Sequence, residues 1–436
     1  MTSTSTRVAA ISTPDTAAAR LYLHLAAVAA YAKAHQTPPP LPDAARIDPA
    51  IADGPRAIAP TDEHYALRTQ ELRRGVGRSA LQVHQNWVKT VLFESALDHL
   101  AATHVAGGAG AAKLPPKCLS VLDLCCGRGG DLHKYAAIPA VGRLVCADSC
   151  FEAVAEAAAR YAVGAGLSRR STREGQEGVP AGFIVQDCFS PVVAAQAKLC
   201  VGRIRAAEDA AAATAAGASA DSVISAAATG GFDLVVCNFS MHYAFEKEST
   251  VRGFLVGVSM SLPPGGLFIG TTVDDVALAG WRERVGDEFG NGAFKVAFLS
   301  PDAAAGAGTA ASSYGAAYRF TLQDSVQGAV EWVVDWDNFV RLCGEYNLRL
   351  VASANFQDAP ARLSAAERLP KRAFLANAGG GAAKAAGAKR GRGGADGDGD
   401  EAAAPMSPAD GGAVAPTPDE EDAIALFRYF IFEKAA

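Results

Sequence analysis

Residues 121–135 read VLDLCCGRGGDLHKY and decide the fold. The apolar run that carries Asp123 has the length of a buried strand, and it passes directly into a turn with Gly127, Gly129 and Gly130. Glycines in such a turn let the backbone approach a ligand, and the amides that start the following helix offer hydrogen-bond donors. In a doubly wound α/β sheet, this first strand-to-helix turn lies where ligands bind. The stretch therefore predicts a small-molecule binding turn in an α/β fold.

The residues around the turn separate the candidate ligands. Cys125 occupies the first glycine position of a G-x-G-x-x-G pattern and Arg128 interrupts it, which disfavours NAD, and the Lys-Ser/Thr pair of a P-loop is missing. Asp148 ends the next strand, where an acid can bind both ribose hydroxyls. Asp187 ends the third strand, where a carboxylate can accept the adenine amino group. With Asp123, these acids match class I S-adenosylmethionine-dependent methyltransferases; the simpler alternative is a turn that only packs a strand against a helix.

The rest of the chain alternates strand-like and helical stretches. The strand-like runs are residues 119–124, 143–147, 183–185, 232–237, 267–271, 348–354 and 427–432. Short apolar strands separated by helices predict a mostly parallel, seven-stranded sheet with helices on both faces. The last strand follows a loop rather than a helix, so we expect it to pair antiparallel at or near an edge. Before the first strand, apolar residues from Trp87 to Leu100 recur at helical spacing and predict a helix.

Length and charge limit the classes of protein that fit. A chain of 436 residues would ordinarily hold two to three domains, but the alanine- and glycine-rich stretches favour one interrupted domain. Lys and Arg number 40 against 46 Asp and Glu, a net charge of −6, which argues against tracking duplex nucleic acid but not against a pocket for one nucleotide. No run of about 20 apolar residues predicts a membrane span. The nine cysteines lack the paired spacing of a zinc site, so no metal is expected.

Composition also suggests how the chain is divided. We expect residues 1–60 to form a flexible tail, although the first of them are weakly similar to an organelle transit peptide. One domain is expected over residues 61–436, with insertions near 164–180, 206–231 and 376–418. The second insertion could form a marginal surface helix. The basic cluster Lys389, Arg390 and Arg392 in the third would act as a plain linker or as a localisation signal.

An ordered set of motifs resembles the eukaryotic mRNA cap guanine-N7 methyltransferases. HQNWVKTVL (84–92) is similar to the family's NNW-x-K-S-V-L, and VLDLCCGRGGDL (121–132) to its VLDLGCGKGGDL. FDLVVCNFSMHYAFE (232–246) resembles the family's FD…Q-F-x-x-HY-x-F-E. LPPGGLFIGTT (262–272), EFGN (288–291), VEWVVDW (330–336) and FEK (432–434) follow in family order. The resemblance covers about residues 64–434, outside the insertions.

The resemblance implies two sets of site residues. S-adenosylmethionine would contact Lys89 through its carboxylate, Asp148 through its ribose and Asp187 through its adenine, with Asp123, Cys125, Gly127, Asn238 and Tyr243 completing its site. The cap would contact Gln85, Asn86, Arg128, His242, Tyr243, Glu331 and Phe427. Within that set, His242 and Tyr243 would frame the guanine, and Glu331 would accept hydrogen bonds from its N1–H and amino group.

Four positions depart from the family pattern. Cys125 replaces a glycine where the backbone passes the methionine part of the methyl donor, and its thiol is expected to crowd or tilt that part. Asn238 replaces a glutamine and shortens a side chain near the same ligand. Arg128 replaces a lysine, which keeps the charge but changes its geometry. Phe427 stands where a tyrosine is usual, so stacking survives without the hydroxyl.

The resemblance implies methyl transfer from S-adenosylmethionine to guanine N7 of a capped mRNA end, in the nucleus, beside other capping enzymes or the RNA polymerase II machinery. The N7 lone pair is already nucleophilic, so alignment and electrostatics are expected rather than a catalytic acid or base. Two alternatives remain open. One is a class I methyltransferase for another small molecule, and the other is a catalytically silent protein that binds cap or RNA.

Overall fold

The computed structural model describes residues 79–104, 114–163, 179–215, 231–299, 313–323, 325–366 and 415–436. The expected tail over residues 1–60 lies outside this part of the chain. So do the basic cluster at residues 389–392 and most of the expected insertions.

Seven of the strands form the central sheet. They are β1 (Leu119–Leu124), β2 (Val141–Asp148), β3 (Ala181–Val185), β4 (Leu234–Asn238), β5 (Leu267–Val273), β10 (Leu348–Asn355) and β11 (Phe427–Lys434). Their order is β10–β11–β5–β4–β1–β2–β3. The neighbours among β5, β4, β1, β2 and β3 pair in parallel, whereas β11 is antiparallel to both β5 and β10. This arrangement confirms the predicted fold class, and the predicted antiparallel last strand lies one position in from the edge.

Helices cover both faces of this sheet. They are α1 (Ala80–His104), α2 (Leu132–Ala137), α3 (Phe151–Val163), α4 (Val192–Ala215), α5 (Glu248–Ser261), α6 (Asp275–Val285), α7 (Trp336–Glu345), α8 (Ala359–Arg362) and α9 (Pro418–Ile424). Alternate residues of β1 enter two separate cores: Val121 packs with residues of α1 and α3, and Leu122 with residues of α4, α5 and α7. All six residues of β1 are buried, which explains why the run is mostly apolar; Ser120 and Asp123 are its two polar residues.

A second, antiparallel sheet is present that the sequence did not predict. Its strands β6 (Glu288–Gly290), β7 (Phe294–Phe298), β8 (Ala317–Leu322) and β9 (Val326–Trp332) follow one another in order. Apolar residues of three of its strands, including Phe289, Val296 and Phe320, join the core on the α1 side of the central sheet. The sheet therefore forms a wall beside the central sheet. The motif EFGN begins on β6 and ends one residue beyond it, and VEWVV begins on β9 and ends two residues beyond it.

The second expected insertion is only partly separate from the fold. Residues 206–215 continue helix α4, and residues 216–230 lie outside the described part of the chain. None of the helices in the described ranges combines the length and apolar character needed to cross a membrane. The same ranges contain no group of three His, Cys, Asp or Glu side chains arranged to hold a metal ion.

Candidate active site

A cleft of about 610 Å³ lies at the carboxyl ends of β1, β2 and β4, bounded by α1 and the second sheet. Ligands bind at this end of a parallel sheet because adjacent strand-to-helix turns leave a crevice there. The expected site residues that line it are Gln85, Cys125, Gly127, Arg128, Asp148, Asn238, His242, Glu331 and Phe427. The expected residues that do not line it are Asn86, Lys89, Asp123, Asp187 and Tyr243. Residues expected for the methyl donor and for the cap thus share one cleft.

The glycine turn after β1 is open toward the cleft. Gly127 has a φ of 51°, in the left-handed region that glycine adopts without strain. Its amide donates a 2.8 Å hydrogen bond to Oδ2 of Asp148, and the amide of Cys150 donates to Oδ1 at 2.9 Å. A Cβ at Gly127 or Gly130 would meet no atom within 4 Å. An open backbone beside an oriented carboxylate fits S-adenosylmethionine, whose ribose would be held by Asp148.

Cys125 has a φ of 55°, in the left-handed region that favours glycine. A side chain at such a φ costs about 1–2 kcal/mol. Its amide donates to Sγ of Cys188 at 3.3 Å, and its side chain packs against the core that contains Cys188 and Cys237. Cys125 also lines the cleft, so the expected crowding or tilting of the methyl donor by its thiol stays a prediction.

Asp123 lies at the end of β1, behind the cleft lining, and is 4% exposed. Burial, and then the nearby charge of Asp131, raise the pKa of its carboxyl to about 8, against the opposing effects of the Tyr135 hydroxyl and Lys89. The carboxyl is therefore mostly protonated at neutral pH. A cationic ligand beside it would favour the ionised form.

A charged cluster joins α1, the glycine turn and β4. Nζ of Lys89 lies 2.8 and 3.0 Å from the two oxygens of Asp131, and Lys134 also donates to Asp131. Lys134 reaches Oδ1 of Asn86 at 3.2 Å, and Nδ2 of Asn238 donates to Oδ2 of Asp131 at 3.3 Å. Asn86, Lys89 and Asn238 were predicted as site residues from the sequence, whereas Asp131 and Lys134 were not. Their signal was an acid and a base three residues apart at the start of the helix after the turn.

The opposite wall of the cleft holds a buried carboxylate. The side chains of Glu331, on β9, and Tyr318, on β8, are 2% and 0% exposed, and the Tyr318 hydroxyl donates to Oε2 of Glu331 at 2.9 Å. Nε2 of His242 lies 3.5 Å from Oε1. Burial raises the pKa of Glu331 to about 8, and the Tyr318 hydrogen bond opposes that rise. Burial also lowers the pKa of His242 to about 3, so the imidazole of His242 is neutral. Tyr318 was missed, although predicting the β8–β9 hairpin would have placed it opposite Glu331.

Aromatic rings form the floor of the cleft between its two ends. Phe427, at the start of β11, meets Phe239 edge-on at 5.2 Å between ring centroids, and both residues line the cleft. Phe239 has a φ of 54° and follows β4 directly. The ammonium of Lys89 lies 5.8 Å from the centroid of the Phe239 ring, which favours a cation–π attraction. Phe239 was not singled out from sequence, since a phenylalanine after a strand is ordinarily core.

Two arginines stand on the α3 side of the cleft. Arg128 and Arg160 both line it, and both form ion pairs with Glu156 of α3. The Nη2 atom of Arg160 lies 2.8 Å from Oε1 of Glu156. Arg160 and Glu156 were not identified from sequence, because each also fits an ordinary salt-bridged helix face. Together they give this wall two guanidinium groups held by one carboxylate.

Asp187 and Tyr243 lie outside the cleft lining. Oδ1 of Asp187 accepts a 3.0 Å hydrogen bond from the amide of Phe189, in the turn after β3. Tyr243 lies on the 3-10 helix Met241–Glu246, with its ring 4.3 Å from that of His242. Both residues are half-buried. Since neither lines the cleft, the expected contacts of Asp187 with the adenine and of Tyr243 with the guanine stay predictions.

The chain matches known proteins over most of its length. A family model described as an mRNA (guanine-N(7))-methyltransferase domain matches residues 60–435. The mRNA cap guanine-N(7) methyltransferase 1 of Oryza sativa subsp. japonica is 32% identical over 300 residues, which cover 68% of this chain and 67% of that protein. The mRNA cap guanine-N(7) methyltransferase of Lodderomyces elongisporus is 30% identical, covering 68% of this chain and 49% of its relative.

The matched segment spans about two thirds of the rice protein and about half of the yeast protein.

Among solved structures, the CcbJ methyltransferase of Streptomyces caelestis aligns over 78% of this chain and 98% of its own, at 10% identity and a TM-score of 0.33. A likeness this distant carries no argument about function, and the fold is established here by the order and direction of the strands. The family model covers far more than half of the chain and confirms the resemblance seen in the motifs. The chain belongs to the mRNA (guanine-N7)-methyltransferase family.

Proposed function

We propose that the protein transfers a methyl group from S-adenosylmethionine to N7 of the guanosine cap on 5′-capped mRNA. One observation carries the proposal beyond family membership. The buried carboxylate of Glu331 lines the same cleft as the open glycine turn at Gly127. The carboxylate on one wall can accept hydrogen bonds from the N1–H and amino groups of guanine, and the glycine turn on the other wall can bind the methyl donor. The cleft therefore has the two half-sites that this transfer needs.

The chemistry of N7 sets what the residues must do. When bound, S-adenosylmethionine supplies a sulfonium methyl group that a nucleophile can displace in line. The N7 lone pair carries no proton, so no side chain has to act as a general base. Burial keeps His242 neutral, which suits a residue that positions a ring through hydrogen bonds rather than one that exchanges protons. The protein's contribution is then alignment of the two ligands and stabilisation of the positive charge that develops on the purine.

Each wall of the cleft has a defined part in this alignment. Glu331 would hold the Watson–Crick edge of guanine, with Tyr318 fixing the carboxylate. Asp148 would hold the ribose of the methyl donor. The guanidinium groups of Arg128 and Arg160 suit the negative triphosphate bridge of a cap, since paired guanidiniums bind phosphate oxygens well. Phe427 offers a ring for stacking without a hydroxyl.

The decisive experiment combines the purified protein with methyl-labelled S-adenosylmethionine and GpppA-ended RNA. Digestion of the RNA should release label only in N7-methylguanosine. Uncapped RNA of the same sequence is the control and should stay unlabelled. Label on the 2′-oxygen, on adenine or on a small molecule would contradict the proposal.

A second candidate is a cap-binding protein without methyltransferase activity. Cys125 at a positive φ and the hydrogen bond between Asn238 and Asp131 favour it, because both residues depart from the family pattern at the methyl-donor end. Tight binding of a cap analogue together with no detectable binding of S-adenosylmethionine would support this candidate.

The setting of the reaction is part of the same proposal. Capped mRNA ends are made in the nucleus, so we propose a nuclear location and proximity to other capping enzymes or to RNA polymerase II. Fluorescent tagging of the full chain tests the location. Exclusion of the tagged protein from the nucleus would contradict it.

A further inference from the structure

Lys134 is a lysine that the fold buries beside the glycine turn. Its side chain is only 6% exposed, although a lysine of a six-residue helix could readily reach solvent. Its ammonium donates to Asp131 and, at 3.2 Å, to Oδ1 of Asn86. Burying a cation is costly unless its partners compensate, so a lysine in this place calls for a reason that an apolar residue could not supply.

The charges around Asp131 give such a reason. Two ammonium groups, from Lys89 and Lys134, contact this single carboxylate. Although burial alone would raise it, these two cations lower the pKa of Asp131 below its usual range, so the carboxylate stays ionised. Two positive charges against one negative charge leave the cluster with a net positive charge. That excess is available to an anionic group of a ligand.

The position of Lys89 directs this excess toward the cleft. Its ammonium lies 5.8 Å from the centroid of the Phe239 ring, which lines the cleft. The Lys89 side chain is 14% exposed, whereas that of Lys134 is 6% exposed. Oδ2 of Asp131 also accepts from Asn238, so several donors share this carboxylate. Without Lys134, the charge of Lys89 would be cancelled by Asp131 alone.

We propose that Lys134 is a positioning residue that keeps the charge of Lys89 available for the carboxylate of the methyl donor. The inference rests on the proposed function, because it takes the amino-acid end of S-adenosylmethionine to lie at this cluster. Lys134 itself does not touch the ligand. It acts by balancing Asp131 and by holding Asn86 and Asp131 in place.

The test compares two ligands that differ only in the carboxylate: S-adenosylhomocysteine and its decarboxylated analogue, S-adenosyl-3-thiopropylamine. Isothermal titration calorimetry measures both affinities for wild type and Lys134→Met. We expect the variant to bind S-adenosylhomocysteine about tenfold more weakly, which equals about 1.4 kcal/mol. The decarboxylated amine should bind as well as before or better, because the site has lost a positive charge.

Matched variants separate this role from a general loss of structure. Lys134→Arg keeps the charge and should restore most of the affinity for S-adenosylhomocysteine. Lys434→Met removes a half-buried lysine that donates to Ser259 and Tyr346 away from the cleft, and should change neither affinity. In a Lys89→Met background, Lys134→Met should no longer alter the ratio of the two affinities. If Lys134→Met does not fold, Lys134→Gln provides the same comparison.

The outcomes distinguish the two levels of the proposal. Equal weakening of both ligands, or unchanged binding of S-adenosylhomocysteine, would overturn the role of Lys134 and leave cap methylation untouched. A wild-type protein that binds no S-adenosylhomocysteine would overturn both. Failure to methylate capped RNA, with the ligand selectivity as expected, would overturn only the substrate assignment.

Discussion

The hydroxyl of Tyr318 donates a 2.9 Å hydrogen bond to Oε2 of Glu331, and the two residues face each other on paired strands of the second sheet. His242 lies 3.5 Å from the other oxygen, Oε1. The Tyr318 hydrogen bond thus fixes one side of the carboxyl group before any ligand binds. A preorganised acceptor loses little conformational entropy when guanine donors reach it.

Removing the charge of Glu331 tests its role in substrate binding. Glu331→Gln replaces a carboxylate that accepts two hydrogen bonds by an amide that can accept only through one oxygen. Above about pH 8, where the carboxyl is ionised, a hydrogen bond to this charged group contributes about 1.5–3 kcal/mol, so kcat/KM for capped RNA should fall there roughly ten- to a hundredfold. Steady-state kinetics at saturating S-adenosylmethionine measures this. Glu345→Gln, on the exposed side of α7, is the matched control, and full activity of Glu331→Gln would refute the assignment.

The pH dependence of Glu331 gives a second prediction, tested with Tyr318→Phe. Burial raises the pKa of Glu331 to about 8, so in the free protein the carboxyl is protonated below that pH and cannot accept both guanine donors. The kcat/KM for capped RNA should therefore rise with pH up to about 8. The Tyr318 hydrogen bond opposes this pKa rise, so its loss in Tyr318→Phe should move the midpoint of the profile upward by roughly one to two pH units.

Tyr314→Phe serves as the control for this profile, because the Tyr314 hydroxyl accepts from Asn338 away from the cleft. Its midpoint should equal that of the wild type. A lower midpoint in Tyr318→Phe would show that Glu331 does not govern the profile.

How far sequence predicts this molecule depends on how deeply each part is buried. The strands at the centre of the main sheet are largely buried, so they appear as mostly apolar runs, and β1 was predicted with its observed bounds. The second sheet escaped prediction because its strands are partly exposed: β6 has one buried residue between two exposed ones, and β9 has buried, half-buried and exposed residues. Their apolar signal is correspondingly weak.

In the site, residues of local motifs were predicted from the sequence and their tertiary partners were not. Motif resemblance identified Glu331 and Lys89, but not Tyr318 or Asp131, which hold them. Tyr318 becomes visible only through the register of the β8–β9 hairpin. Asp131 is joined to Lys89 across 42 positions of sequence, and no local pattern predicts such a pair. Partners that act through tertiary contacts are therefore the part that single-sequence reasoning misses.

Asp123 should make the stability of the ligand-free protein pH-dependent. Burial raises the pKa of this carboxyl from its ordinary 3.8 to about 8 in the folded protein. Between these values only the folded state holds the proton, so the free energy of unfolding falls as pH rises from about 4 to 8, by about 1.4 kcal/mol per pH unit at most. Asp123→Asn should remove the part of this fall that Asp123 causes and be more stable than wild type at pH 8, while the part caused by Glu331, whose pKa is also raised to about 8, should stay.

Urea unfolding at pH 5 and pH 8 measures the effect. Asp358→Asn, a change on the exposed surface at the start of α8, should behave as the wild type does. Asp123→Asn should also lose affinity for S-adenosylmethionine, since the cationic ligand favours the ionised carboxyl. Identical pH dependence of stability in Asp123→Asn and wild type would contradict the assignment.

The backbone of Cys125 predicts an unusual order of stabilities. Its φ of 55° suits glycine, so Cys125→Ala keeps the strained conformation and loses the thiol that packs against the core containing Cys188 and Cys237. Cys125→Gly loses the same thiol but relieves the strain, and should be more stable than Cys125→Ala by about 1 kcal/mol. At Cys126, whose φ is not positive, the order should reverse because glycine there only adds freedom to the unfolded chain. Thermal and urea unfolding of the four variants tests this, and a Cys125→Ala variant more stable than Cys125→Gly would show that the turn imposes no such strain.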